Sequence, residues 1–353
     1  MRAIVKTGPT AGFEYRTDQE ERASLAPGEV RVIVAAASVC GTDRELVNYT
    51  PAAEAFGLAF PVTLGHEVSG TVAEVGAAVR NVRVGDRVAL ESHIACETCY
   101  HCRLGQGHNC LNMKLLGLHL DGGFAEQTIV PEQACYVLPD SVPLEVGALF
   151  ESAGVAVHAM LRSGHLLGGE SVLIAGGGPI GLVLVQLAQA FGARQVVVVE
   201  PNPYRRTLAE KWGAKTIEPG PDAADWCRQD SADRGGFDVG FDCSGAPGAL
   251  DTLLHALRRE ATAVCVGLPN QAYSLDITRH VIKQGLTLKG SFGRSLWATW
   301  DRLAALVASG RLDLSALISQ RLSLAEFSDA VDLLSGDAAK VLLVPTVHGP
   351  FGT

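Results

Sequence analysis

Cys96, Cys99, Cys102 and Cys110 lie within the stretch IACETCYHCRLGQGHNC and offer the most specific chemistry in this chain. Their C-x2-C-x2-C-x7-C spacing lets four thiolates converge on one tetrahedral zinc, with Gly105 and Gly107 to turn the intervening backbone. Disulfides compete with this reading. Disulfide scaffolds are short and cysteine-dense, however, whereas 9 cysteines are spread here over 353 residues with no signal-like N-terminal segment. The cluster therefore reads as a structural zinc site in a reduced, cytoplasmic compartment. With four thiolate ligands it leaves no position open to a substrate.

Two further polar groups sit among apolar neighbours: Val39-Cys40-Gly41-Thr42-Asp43, and Gly65-His66-Glu67. A third is Glu151, in ALFESAGVAVHAM, where the pattern turns helical. A cysteine, a histidine and a carboxylate from distant segments could form a catalytic zinc set with a position open to water or substrate. A buried cysteine and a hydrogen-bonded core histidine are the alternative, and spacing alone leaves both open.

Ser171 to Ala175 (SVLIA) reads as a buried parallel strand running into Gly176-Gly177-Gly178-Pro179-Ile180-Gly181. An apolar helical stretch, LVLVQLAQAFGA, and a second apolar run, QVVVVE ending at Glu200, follow. Strand, glycine loop, helix, strand and acid come in the order of a dinucleotide-binding βαβ unit. Gly176 would make the tight turn, Gly178 would let the backbone approach a pyrophosphate, and Gly181 would let helix and strand pack closely. The helix N-terminus would face the phosphates. Glu200 would take the ribose hydroxyls and repel a 2′-phosphate, favouring NAD, although Arg205 and Arg206 nearby could accommodate that phosphate.

These groups need elements to hold them. In the first part of the chain, strand-like runs (EVRVIVAAA, EVSGTVAEVG, DRVAL, AEQTIVP, CYVLP) alternate with turns, predicting a barrel-like β domain. From SVLIA onward, helical and strand patterns alternate through KTIEP, FDVGFDCSG, PGALDTLLHAL, TAVCVGL and LTLKGSFG, predicting a doubly wound parallel sheet. Ser244, Gly245, Gly267 and Leu268 end strands in that sheet. They are candidate neighbours of a nicotinamide, or else ordinary turn and core residues. Cys243 and Cys265 read as buried hydrophobes. From about Ser295 a helical run and the strand KVLLVPTV return to the first domain. The predicted division is 1–152 with 291–353 for the zinc-binding catalytic domain and 153–290 for the dinucleotide domain, with the active site in the cleft between them. LTLKGSFG could extend the sheet into a second subunit. The net charge of −9 disfavours nucleic acid and anionic membranes as partners, and no apolar run is long enough to span a bilayer.

The GHE triplet, the four-cysteine lobe and GGGPIG together resemble the zinc-dependent medium-chain alcohol dehydrogenase superfamily over essentially the whole chain. L-threonine 3-dehydrogenases are similar at ESHIACETCYHC, GGFAEQTIVP, FESAGVAVH, FDVGFDCSGAP, LKGSFGR and GDAAKVLL. CGTDRE is similar instead to archaeal glucose dehydrogenases, and polyol dehydrogenases share the general pattern. The resemblance implies two zinc ions per chain, one structural and one catalytic. It implies that Cys40, His66 and Glu67 hold the catalytic zinc, with Glu151 as a fourth, exchangeable ligand. It also implies that Thr42 contacts the substrate oxygen and passes its proton outward while hydride leaves for NAD. A homo-oligomer, dimer or tetramer, is implied as well.

Two departures bear on the substrate. Where threonine dehydrogenases read CGTDVH, this chain has Glu45 at the final position. That carboxylate could carry a proton to solvent, hydrogen-bond a second substrate hydroxyl, or simply be solvated. The following loop, YTPAAEAFGLAFP, is apolar and offers no basic side chain to a substrate carboxylate; Arg294 is a candidate for that role, for the cofactor pyrophosphate or for a subunit contact. The expected activity is NAD-dependent oxidation of a secondary alcohol (a polyol, sugar or cyclic alcohol) to a ketone. L-Threonine 3-dehydrogenase is the alternative, and a non-catalytic dinucleotide-binding protein with structural zinc is an alternative of another class.

Overall fold

Burial alternates along the strand Glu29–Val39, with Val30, Val32 and Val34 facing the core, and this strand is the spine of the first unit. The computed structural model describes residues 1–165, 167–269 and 271–345. Glu29–Val39 pairs antiparallel with Glu67–Val75, Gln127–Pro131 and Lys340–Leu343. The sheet runs on through Arg87–Leu90 to Cys135–Val137 on one side and through Ile318–Leu322 on the other. Leu64, Val68, Leu90, Phe124, Phe327 and Val341 pack into one core with the spine valines. The predicted KVLLVPTV strand is formed over Lys340–Leu343, and its last two residues lie outside the described residues. The first unit comprises Met1–Ser152, Ser295–Ala308 and the described residues from Leu314 onward.

The second unit, Ala153–Arg294 with Ser309–Asp313, is built on a six-stranded sheet. All its neighbouring strands are parallel, from Lys215–Ile217 through Gln195–Val199, Ser171–Ala175, Phe237–Asp242 and Leu257–Cys265 to Thr287–Gly290. Ser171–Ala175 is buried at every residue, as a central parallel strand covered on both faces must be. The helix Pro179–Ala190 is buried continuously from Gly181 to Ala188, so its apolar character runs all round rather than as a stripe. The short return Ser309–Asp313 joins this unit through Gln186, whose side-chain amide donates to Asp313 O at 3.0 Å while its oxygen accepts from Asp313 N at 2.7 Å. No helix of the described residues is long and apolar enough to cross a membrane.

At the start of two central strands, Asp238 accepts from the backbone N–H and hydroxyl of Ser171 at 2.7 and 2.8 Å and from Arg258 at 2.8 Å. Burial alone would raise this carboxyl. The bonds from Ser171 and Arg258, with Arg234 nearby, outweigh it and hold the group at about 2. A carboxyl depressed by folding contributes stability fully above its unfolded value near 4 and loses it as the pH falls through 2. Asp238→Asn is therefore expected to cost about 2 kcal/mol in urea unfolding at neutral pH, with the gap from wild type closing between pH ~4 and ~2. A gap that did not change with pH would refute the charge-based account.

Candidate metal centres and nucleotide site

Cys40 stands where the strand Glu29–Val39 ends and the helix Gly41–Asn48 begins. Its sulfur is 3.1 Å from Nε2 of His66, and ligand atoms of Cys40, His66 and Glu67 all lie within 4.8 Å of one another. Strand register explains the convergence: Glu67 is paired with Ser38, two residues before Cys40 on the neighbouring strand. Burial opposes a charge on His66, but the Cys40 thiolate and Asp43 overcome it and raise the imidazole well above its ordinary value. A site this rich in negative charge suits a cation, and one thiolate, one imidazole and one carboxylate are the donor set of an open zinc site.

Glu151, near the start of the helix Phe150–Ser163, is 8% exposed and accepts a 2.6 Å hydrogen bond from the Ser92 hydroxyl. It is not among the grouped ligand atoms. Its charge nevertheless reaches the centre: burial raises Glu67, Lys340 opposes the rise, and Glu151 adds to it. Thr42 and Glu45 stand three residues apart in Gly41–Asn48, hence on one helix face. Glu45 accepts a 2.6 Å bond from Thr50, which caps the short helix Pro51–Ala55 by accepting from Ala53 N. The segment expected as a loop after Tyr49 thus contains a helical turn.

Two residues of this centre escaped the sequence reading. Asp43, with no exposed surface, accepts from Cys40 N at 2.9 Å and lies 3.5 Å from Nδ1 of His66, a charge-pair distance from the ring that presents Nε2 to the Cys40 sulfur. Lys340, 2% exposed, donates to both oxygens of Glu67 at 2.6 and 2.5 Å. Asp43 lay inside the quoted motif and could have been found from the habit of metal-bound histidines to donate their other nitrogen to a carboxylate. Lys340, 273 residues from Glu67, left no local signal.

In the cysteine lobe, the Cys99 sulfur lies 3.5 Å from that of Cys102 and 3.9 Å from that of Cys110. Four sulfurs about 2.3 Å from a tetrahedral zinc would be about 3.8 Å apart, so the spacing fits the metal. All nine cysteines are free, and these separations are far longer than a disulfide. Hydrogen bonds from Asn112 and Thr98 hold Cys96 at about 5. Burial and the neighbouring Cys99 and Cys110 push Cys102 up to about 12. Four sulfurs gathered this closely suit a cation between them.

In the second unit, Gly176 turns the chain at φ +100° after Ser171–Ala175, and Gly178 opens the helix Pro179–Ala190, with Pro179 at its first position and Ile180 next. A Cβ on Gly181 would lie 2.0 Å from the Gly176 carbonyl oxygen, whereas one on Gly178 would meet nothing within 4 Å. The loop is thus tight on its inner side and open at the helix N-terminus, a cradle suited to a phosphate. Glu200, 4% exposed, accepts from Gly177 N at 2.6 Å and Asn202 N at 2.9 Å. Arg205 follows in Pro203–Lys211, its N–H bonded to the Asn202 side chain at 3.1 Å. Arg206 is committed to the Glu200 and Pro201 carbonyls and to Glu218.

Ser244 donates from its N–H and its hydroxyl to Asp242, each at 3.0 Å. Gly267 approaches so closely that its Cβ would lie 2.3 Å from Gly245 N. Leu268 is 71% exposed, which corrects its reading as an ordinary core leucine. Arg294 is 1% exposed and packs its stem against Gly154. Cys243 and Cys265 are half-buried, which corrects their reading as fully buried hydrophobes, and desolvation still raises both thiols.

Residues 26–140 match the family model of the alcohol dehydrogenase GroES-like domain, and residues 179–309 match that of zinc-binding dehydrogenases. An L-threonine 3-dehydrogenase of Pyrococcus abyssi is 38% identical over 98% of this chain and 98% of its own length. A zinc-binding dehydrogenase of Sinorhizobium meliloti, solved with NADP, is 31% identical with a TM-score of 0.85, the match covering 98% of this chain and 99% of that one. The galactitol-1-phosphate dehydrogenase of Escherichia coli is 27% identical with a TM-score of 0.87, covering 98% of this chain and all of that one. The likeness extends through both units rather than stopping at the cysteine lobe, which removes the non-catalytic reading: the chain belongs to the zinc-dependent alcohol dehydrogenase family and is an oxidoreductase.

Proposed function

We propose that this enzyme oxidises a secondary alcohol, of the polyol, sugar or cyclic class, to a ketone with NAD as hydride acceptor. The observation that carries the proposal is the convergence of Cys40, His66 and Glu67 ligand atoms within 4.8 Å. In this reading these three residues of the first unit would hold the catalytic zinc, with Glu151 as an exchangeable partner, and Cys96, Cys99, Cys102 and Cys110 would hold a structural one. The second unit would bind the dinucleotide. When bound, zinc supplies the Lewis acidity that lowers the pKa of an alcohol, and the nicotinamide accepts the hydride. Asp43 is a counter-charge to the His66 ring. Thr42 accepts the proton of the substrate hydroxyl as its own hydroxyl proton passes outward to solvent, and Glu45, on the same helix face, either relays that proton or holds a second substrate hydroxyl while water takes it.

Several observations support the substrate class and the cofactor. Cations that could pair with a substrate carboxylate are otherwise engaged in the first unit: Arg44 donates to Ser335, Lys6 donates to the carbonyls of Thr10, Gly12 and Val47, and Lys340 is bound to Glu67. Neutral hydroxylated substrates suit such a site. The Glu200 carboxylate repels a ribose 2′-phosphate, and with Arg206 occupied NAD is preferred. Full-length relatives named L-threonine 3-dehydrogenase favour a second reading, oxidation of L-threonine. The edge strand Thr287–Gly290, with Leu288 and Phe292 exposed beside it, supports sheet extension into a homo-dimer or tetramer. Nine free thiols suit the cytoplasm.

The test is NADH formation by the zinc-loaded enzyme on L-threonine, sugars, inositols and terpenoid alcohols, repeated with NADP. Turnover of a polyol, sugar or cyclic alcohol, at least about tenfold better with NAD, is expected. Turnover of L-threonine alone would replace the first reading with the second.

A further inference from the structure

Lys6 closes the strand Ala3–Lys6, which is buried at every residue, and is itself only 1% exposed. Its ammonium donates to the carbonyl oxygens of Thr10, of Gly12 at 2.7 Å and of Val47 at 3.3 Å, and it lies 5.6 Å from the centroid of the Tyr49 ring. The Gly12 N–H also donates to Val47 O, at 2.7 Å. No carboxylate pairs with this ammonium among the described residues. On the helix Gly41–Asn48, Asp43 accepts from Cys40, Arg44 donates to Ser335 and Glu45 accepts from Thr50. On the strand Glu14–Arg16, beside Ala3–Lys6, Glu14 is paired with Arg16. The counter-charge is the helix end itself: Val47 lies in the last turn of Gly41–Asn48, where the unpaired carbonyls form the negative pole.

A buried ammonium with no acid beside it is a costly way to close a loop. What it holds is therefore the informative point. The helix ends at Tyr49, whose φ of +48° lies in the left-handed region that a bulky side chain rarely adopts. Such a residue keeps its conformation only where its surroundings impose it. Lys6 acts on this one twice, through Val47 O just before it and through its ring. The turn then delivers Thr50, whose N–H donates to the Glu45 carbonyl at 3.2 Å and whose hydroxyl donates to Oε2 of Glu45 at 2.6 Å. A path of contacts thus runs from the ammonium through Tyr49 and Thr50 to the Glu45 carboxylate. We propose that Lys6 is a positioning residue of the reaction: its ammonium sets the Tyr49–Thr50 turn, which aims Glu45 on the helix face it shares with Thr42. This rests on the reading of Thr42 and Glu45 as the face that meets the substrate.

Titration of Lys6 separates positioning from support of the fold. Desolvation lowers its ammonium below the ordinary lysine value of 10.5. Between the lowered value and 10.5 the unfolded chain binds the more protons, so the stability this group contributes rises with pH and is not lost. The neutral amine, however, has two hydrogens for three carbonyls and no charge to set against the helix end. Turnover should therefore fall at alkaline pH while the protein stays folded.

In Lys6→Met, kcat on the fastest-reacting compound of the alcohol panel is expected to fall about tenfold, with the KM for NAD within about twofold of wild type, because a misplaced Glu45 slows the reaction without touching the nucleotide. Thr50→Val cuts the link to Glu45 and should lower kcat by a similar factor. The double variant should be no slower than the slower single variant, since both changes act on one path. Factors that multiply, as a merely structural lysine requires, or an unchanged kcat in Lys6→Met, overturn the proposal. If Lys6→Met does not fold, wild type and Thr50→Val decide. In wild type, kcat should decline reversibly at a pH below 10.5 with the far-ultraviolet circular dichroism unchanged, and in Thr50→Val that decline should be absent. No decline in wild type, or the same decline in both, overturns the proposal. Thr42→Val and Glu45→Gln both turning over as wild type does would defeat the reading of that helix face, and this proposal with it, a result distinct from any Lys6 outcome.

Discussion

Cys40→Ser is expected to remove one of two zinc equivalents per chain and to lower turnover by at least about 10³-fold, while the fold survives. The two effects separate because of where Cys40 sits. It precedes the helix Gly41–Asn48 in an extended conformation, φ −127° and ψ 175°, at the N-cap position. Serine is among the preferred residues there, so the substitution costs the helix nothing. What it removes is the thiolate, since a serine hydroxyl stays protonated at neutral pH. His66 then loses the anion 3.1 Å from Nε2, and Glu67 remains drawn toward Lys340. Zinc affinity should collapse, and with it several kcal/mol of activation of the alcohol. The measurement is zinc by atomic absorption together with NADH formation and the thermal midpoint. One remaining equivalent, an unchanged midpoint and no turnover would match the assignment. Turnover within about tenfold of wild type would sink it.

The elements that carry the chemistry were legible where one local pattern dictates them. Continuous apolar runs gave Ser171–Ala175 and Gln195–Val199, because a parallel strand covered on both faces has no polar side to show. Strand-like runs set between glycine and proline turns gave Glu29–Val39 and Glu67–Val75. The four-cysteine lobe was legible because all its ligands come from one short segment. The proposed catalytic centre was less so: Cys40 and His66 are 26 residues apart, and only resemblance to a family joined them. Lys340 could not be read at all, because its partner is set by the register of three strands and not by spacing. Pro51–Ala55 was missed for another reason. Thr50 followed by Pro51 is a helix-start signal, but the apolar character of the surrounding stretch drew the reading toward a loop.

Two neighbouring glycines should separate folding from nucleotide binding, and the separation follows from their surroundings. Gly181→Ala places a methyl group 2.0 Å from the Gly176 carbonyl oxygen. Neither partner is the far end of a flexible side chain: the helix Pro179–Ala190 or the end of Ser171–Ala175 must move. Overpacking against backbone costs about 3 kcal/mol or more, so the thermal midpoint should fall whether or not nucleotide is present. Gly178→Ala is the contrasting case. Gly178 has φ −65° and ψ −177°, open to any residue, and its Cβ would meet nothing within 4 Å. Replacing it as N-cap costs about 1 kcal/mol or less. Yet the new methyl stands at the mouth of the loop, where a pyrophosphate must approach the helix N-terminus. The Kd for NAD, by fluorescence titration, should rise about tenfold or more in Gly178→Ala with the midpoint nearly unchanged. If Gly178→Ala bound NAD as wild type does, the phosphates would have to lie elsewhere than the open end of this loop. If Gly181→Ala were as stable as wild type, the close approach of helix to strand would not be what requires glycine there.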